Sequence, residues 1–161
     1  MSNFLRTLEF LSLSLWLGAD VFLSFVVAPG AFSVLASRDQ AGLMVGFALT
    51  RMHFGGVICG VIFLLVRLLR TRSVESLALP APLCVLLMIL LTVASQFTVS
   101  ARMAALRVQM GSIQATGAGN PLLAEFSRLH RVSVSLESAV LLAGFAAMYL
   151  MVREIAPLSR P

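Results

Sequence analysis

Residues 41–69 read AGLMVGFALTRMHFGGVICGVIFLLVRLL, an apolar run whose only full charges are Arg51 and Arg67. As a helix it is about 42 Å long at 1.5 Å per residue. The hydrocarbon core of a bilayer is about 30 Å thick, so the first turns are expected to stand above the membrane. Working outward, three further stretches have the same character. The expected spans are about 8–28, 41–69, 82–103 and 130–152. Pro29-Gly30 is read as the turn ending the first span. The third starts at Pro80 and Pro82 and is open to extension as far as Met110. A polar loop follows from Gly111 to Asn120, and Pro121 opens an amphipathic lead-in to the fourth span. The first span is too long and starts too polar for a cleaved signal peptide, so it is read as retained. The expected fold is a single all-α domain over residues 1–161, an integral membrane four-helix bundle.

Composition supports this reading. The chain has 161 residues, 59% hydrophobic and 12% charged, and a mean hydropathy of +0.97. Soluble domains are nearer 25% charged, and one of this size hides only about 70% of its surface. Water-soluble enzymes, disordered tails and nucleic-acid-binding domains are excluded as classes. The net charge of +5 does not alter this. Every basic residue is arginine, and the arginines gather at the ends of the apolar runs (Arg67, Arg70, Arg72; Arg102, Arg107; Arg128, Arg131; Arg153). There they can snorkel to anionic headgroups. The expected surroundings are therefore the bilayer and no nucleic acid. Cys59 and Cys84 both fall inside apolar runs and indicate neither a disulfide framework nor a metal motif.

Four spans put both ends of the chain on one side. That side holds Arg6, Arg67, Arg70, Arg72, Arg153 and Arg160; the other holds Arg38, Arg51, Arg102, Arg107, Arg128 and Arg131. The totals tie, but the short connection between the second and third spans carries the densest cluster, which favours cytoplasmic termini in a bacterial inner membrane.

Ionisable groups within spans are costly and mark functional candidates. At about 100° per residue, Glu9, Ser12, Trp16 and Asp20 share one face of the first helix. Asp20 lies near mid-bilayer and must be protonated or paired. On the second helix His53 shares a face with Gly42, Gly46, Gly56 and Gly60, whose two GxxxG spacings suit close helix packing. Arg51 points the other way, as a partner for a carboxylate. The third helix contributes Thr92, Ser95, Gln96 and Met103. The fourth aligns His130, Ser133 and Glu137. The expected polar site comprises Asp20, Arg51, His53, Gln96, Arg102, His130, Ser133 and Glu137, with Arg51 and Arg102 balancing charge.

Two histidines on separate helices allow several chemistries. They could hydrogen-bond or relay protons. They could ligate a haem b through both axial positions, or hold copper together with Met52, Met103 or Met110. His53 and His130 are the candidate metal ligands, and the identity of any cofactor stays open. No GxSxG, HExxH or P-loop pattern occurs, so the leading expectation is non-enzymatic: transport or sensing of a small solute or metal ion. The alternatives are a haem or copper redox subunit and an accessory subunit of a larger membrane complex. Beyond the bilayer, the expected partners are further copies in a homo-oligomer or the subunits of a larger membrane complex.

Several of these residues also form motifs. Trp16-Leu17-Gly18 with Phe22, Phe25, Val26 and Phe32, then Met52-His53-Phe54-Gly55-Gly56, Arg102-Met103 with Leu106, and Phe126…His130…Ser133 follow one another along the chain. In that order and spacing they resemble the transmembrane protein 205-like family, four-span membrane proteins carried in bacteria as a domain of unknown function. The resemblance implies the four-span fold and adds weight to His53 and His130; it implies no reaction. Eukaryotic relatives are associated with metallodrug tolerance, which hints at metal handling. Glu137 departs from the family's amide-type residue and Ser100 from its proline.

Overall fold

The computed structural model describes residues 2–155, which form four long helices joined by short connections. The helices are α1 (Asn3–Val34), α2 (Arg38–Thr71), α3 (Pro80–Met110) and α4 (Pro121–Ile155), each long and apolar enough to cross a bilayer. No strand occurs among the described residues. The chain is an all-α, multi-pass membrane protein. Arg160, counted above on the side of the chain ends, lies outside the described residues.

The helix ends follow from local chemistry. Ser37, in extended conformation, caps α2 by accepting from the Gln40 N–H at 3.2 Å, as an N-cap serine does. The end of α2 closes at Arg72 in the left-handed region (φ 54°), whose N–H donates to Leu68 O. A short 3-10 turn, Val74–Ala78, leads to Pro80 in the first turn of α3, where its missing N–H is harmless. Gly111 (φ 70°) ends α3, a conformation glycine adopts without penalty. Asn120 Oδ1 accepts from the Leu122 N–H at 2.9 Å and so starts α4. No breaker interrupts residues 121–155, so the expected lead-in and the fourth span are one continuous helix.

The first span does not end at Pro29-Gly30. The helix continues to Val34, with a π-helical turn at Leu23–Val27. A proline in a regular helix clashes with the carbonyl four residues back, here that of Phe25. In the π turn the Ala28 N–H donates to Leu23 O instead, five residues back. This wider register shifts the carbonyls under the ring and lets the helix pass through Pro29.

α1 packs most extensively on α2 and α3 on α4, while α2–α3 and α4–α1 contacts close the ring; across the diagonal α2 and α4 meet through side chains, His53 with Glu137 and Arg67 with Glu154. Leu13, Trp16 and Leu17 of α1 meet Phe63 of α2, Val85 and Met88 of α3, and Val140, Ala147 and Met151 of α4 in an apolar core. Most remaining large apolar side chains point outward, as lipid-facing residues must. Of the four glycines expected to serve packing, Gly56 and Gly60 do so. A Cβ on Gly56 would overlap the Trp16 indole, and one on Gly60 would come within 2.7 Å of Trp16 and 2.8 Å of Ile89. Gly42 instead makes room for the Arg107 guanidinium, whereas Gly46 faces open space. The GxxxG spacing therefore marks a helix contact once, at Gly56–Gly60. The difference arises because only the membrane half of α2 meets the bulky indole.

Polar layers bound the core at both ends. At one end Glu9 (1% exposed) holds Arg70 with two hydrogen bonds, Nε to Oε1 at 2.6 Å and Nη2 to Oε2 at 3.1 Å. Arg67 reaches Glu9 Oε2 at 3.4 Å and Glu154 Oε2 at 2.7 Å. Arg67 is only 2% exposed, so it does not snorkel to the headgroups. The carboxylates of α1 and α4 draw it inward, and two arginines against two glutamates leave the layer formally neutral. At the other end Asp39 gathers the 111–120 loop. Its carboxylate accepts from Ser112 Oγ at 2.6 Å and from the N–H groups of Ile113 and Gln114 at 2.9 and 3.4 Å. The backbone carbonyl of Asp39 accepts from Arg107 at 3.2 Å.

Candidate functional site

Between these layers the four helices bring together Asp20, His53, Ser95, Gln96 and Glu137. His53, 1% exposed, is the hub. Its Nδ1 lies 2.7 Å from Gln96 Oε1 and its Nε2 2.7 Å from Glu137 Oε1, so one ring joins α2, α3 and α4. Ser95 Oγ also donates to Glu137 Oε1, at 3.3 Å. Asp20, likewise 1% exposed, accepts from Ser24 Oγ at 3.4 Å. It lies within electrostatic reach of both Glu137 and His53. Asp20 Oδ2 and Glu137 Oε2 are buried with no hydrogen-bond partner among the described residues. The layer beneath holds two more such atoms, Trp16 Nε1 and Thr92 Oγ1. Unpartnered buried polar atoms are expensive, and four of them lie on the turns that carry this cluster.

Both π turns among the described residues fall here. One, Leu23–Val27, begins three residues after Asp20 and supplies Ser24. The other, Ser95–Ser100, contains Ser95 and Gln96. In a regular helix neighbours diverge by about 100°. The wider π turn advances less per residue, and Ser95 and Gln96 both reach inward, to Glu137 and His53. Such turns are frequent at functional sites.

The structure sorts the expected site residues into two groups. Asp20, His53, Gln96 and Glu137 form the cluster, and Ser133 is buried one turn above Glu137 on α4. Arg51, His130 and Arg102 lie elsewhere. Arg51 is exposed, with its guanidinium 5.1 Å from the centre of the Phe47 ring. Arg102 pairs with Glu125 on the surface, Nε to Oε1 at 2.9 Å. His130 is exposed and lines a cavity beside the 111–120 loop. It sits seven residues, roughly 10 Å of helix, from Glu137. The two histidines therefore do not face each other, and both nitrogens of His53 are already engaged. Among the described residues no group of three or more His, Cys, Asp or Glu side chains is placed to hold a metal ion. Cys59 and Cys84 are free thiols.

Ser95, expected on the polar stripe of the third helix with Gln96 but outside the eight residues of the expected site, joins the cluster through Glu137. The usable signal was the Ser95-Gln96 pair itself, two polar residues in succession within an apolar span. The Glu9–Arg67–Arg70–Glu154 network left a fainter trace: Glu9 lies on the same helical face as Asp20.

The fold and this buried cluster define a four-span membrane protein with an intramembrane acid–imidazole site. The chain matches the family model for a domain of unknown function (DUF4149) over residues 11–112, and it belongs to that family. The matched region runs through α1, α2 and α3 into the loop, and so includes Asp20, His53, Ser95 and Gln96 but not Glu137. No curated protein and no solved structure matches the chain.

Proposed function

We propose that Asp20, His53 and Glu137 form a proton-binding site, through which this membrane protein couples protonation to moving or sensing a small solute. The observation that carries the reading is the hydrogen bonding of His53. In the orientation described, both ring nitrogens face acceptors, Gln96 Oε1 and Glu137 Oε1, an arrangement satisfied by imidazolium, which donates from both. Half a turn of the Gln96 amide presents its NH₂ to Nδ1, and the same pocket then satisfies a neutral ring that donates only to Glu137. Oxygen and nitrogen of an amide are interchangeable in outline, so His53 can gain or lose a proton without stranding a polar atom.

The two carboxylates complete the account. Two like charges in a low-dielectric interior oppose each other, and the described arginines pair with other groups or lie outside the cluster. With His53 protonated, one carboxylate ionised and one proton on the other, the cluster is neutral, the state a bilayer tolerates best. The atoms able to carry that proton are Asp20 Oδ2 and Glu137 Oε2, which no described residue engages.

The transmembrane protein 205-like reading belongs to the same proposal. Of its motif residues, Trp16, His53, Gly56 and Ser133 are buried at or beside the cluster. Cytoplasmic termini in a bacterial inner membrane, with the Asp39 end facing outward, fit the arginine-rich connection between α2 and α3. Infrared difference spectroscopy of the protein in lipid nanodiscs, titrated with acid and base, tests the proton site. A carboxylic C=O band that titrates in the wild type is expected to vanish in Asp20→Asn or Glu137→Gln and to shift in His53→Gln. Spectra identical to wild type in all three variants would overturn the reading.

A further inference from the structure

A second polar feature lies at the Asp39 end, apart from the buried cluster. The start of α2, the 111–120 loop and the first three turns of α4 enclose an open cavity of about 630 Å³. Arg38 and Arg131 supply its cationic side, the His130 imidazole lies along it, and no acidic residue lines it. The acids nearest in sequence are committed elsewhere: Asp39 to Ser112 and the loop amides, Glu125 to Arg102. Among the described residues Arg38 and Arg131 form no ion pair. Gln114 and Ser127 add neutral hydrogen-bonding groups, and Leu123 and Phe126 give the cavity an apolar wall.

Depth narrows the ligand. Exposed apolar side chains resume directly past the cavity, at Val132 and Val134 on α4 and at Leu43, Met44 and Phe47 on α2. The cavity thus lies at the edge of the lipid-facing belt, the level of phospholipid headgroups. Two guanidinium groups and an imidazole beside a hydroxyl match a phosphate ester, which accepts several charge-assisted hydrogen bonds at once. The apolar wall suits the glycerol and first acyl carbons.

We propose that this cavity is a binding site for a phosphate ester, supplied at this depth by the headgroup of an anionic phospholipid. Native mass spectrometry of the protein titrated with phosphatidylglycerol or phosphatidylcholine tests it. The wild type is expected to retain phosphatidylglycerol in preference to phosphatidylcholine. Arg38→Gln and Arg131→Gln should each weaken retention roughly tenfold, the effect of losing one charge-assisted contact. Arg51→Gln, an exposed arginine outside the cavity, should leave retention unchanged. Excess glycerol phosphate distinguishes the sources: displacement of the lipid supports a soluble phosphate ester at the same site, and persistence of the lipid supports the headgroup. Helical circular dichroism confirms that each variant is folded, and His130→Ala gives an independent reading should an arginine variant misfold. Equal retention by all variants, equal loss in Arg51→Gln, or no preference for the anionic lipid would overturn the proposal.

Discussion

Glu9→Gln is expected to destabilise the bundle by about 3–5 kcal/mol, the usual consequence of removing one partner from a buried ion pair. Glu9 is the shared acceptor of the layer, gripping Arg70 through two bonds and touching Arg67. The amide keeps the shape but removes the charge, and it turns an NH₂ group toward one of two guanidinium groups. Arg67, almost fully buried, is left with Glu154 alone, while Arg70 loses its only described ion-pair partner. Arg67→Met should cost clearly less. Glu9 then retains its two bonds to Arg70, and Glu154, about a third exposed, can be solvated. Reversible unfolding in mixed micelles measures both, with Arg102→Gln at the exposed Arg102–Glu125 pair as the control expected to change little. Equal stability of Glu9→Gln and wild type would mean that the layer is not a stabilising unit.

The second large effect concerns two glycines that look alike in sequence. Gly56→Ala is expected to cost about 1–3 kcal/mol, the range for overfilling a packed core, because the new methyl group meets the Trp16 indole. The indole is 1% exposed and held between helices, so it cannot simply swing away. Gly46→Ala, ten residues earlier on α2, has nothing within 4 Å of the added atom. It should be neutral or stabilising by up to about 1 kcal/mol, through helix propensity alone. Unfolding midpoints of the two variants measured side by side decide the matter. A Gly46→Ala loss as large as that of Gly56→Ala would show that both glycines pack against neighbours. Because Trp16 and Asp20 lie one turn apart on α1, Gly56→Ala should also disturb the carboxyl band assigned to the buried cluster.

The sequence made the architecture legible because a bilayer imposes a simple rule. Every backbone polar group must be satisfied internally, so long uncharged runs become helices, and four such runs with short connections leave little freedom in the fold. Asp20, His53, Gln96 and Glu137 were legible for the same reason: polar residues within those runs stand out, and burial is the arrangement that suits them. Helical periodicity correctly set Asp20 on the face of Trp16 and Glu9.

What periodicity could not supply was the effect of neighbouring helices. The π turns at Leu23–Val27 and Ser95–Ser100 break the constant angle on which face assignments depend, carrying α1 through Pro29 and adding Ser95 to the site. The fate of each arginine also depended on the partner opposite. Arg67 is drawn inward by Glu9 and Glu154, whereas Arg51 and Arg102 stay on the surface beside Phe47 and Glu125. The two histidines separate on the same ground. His53 faces acceptors on two other helices and is buried, while His130, at the start of α4, opens onto the loop cavity. Sequence alone determined how many helices there are and which groups must avoid lipid. The tertiary structure decided which of those groups meet, because His53, Gln96, Glu137 and Arg67 find their hydrogen-bond partners on other helices, which no single helix's periodicity can show.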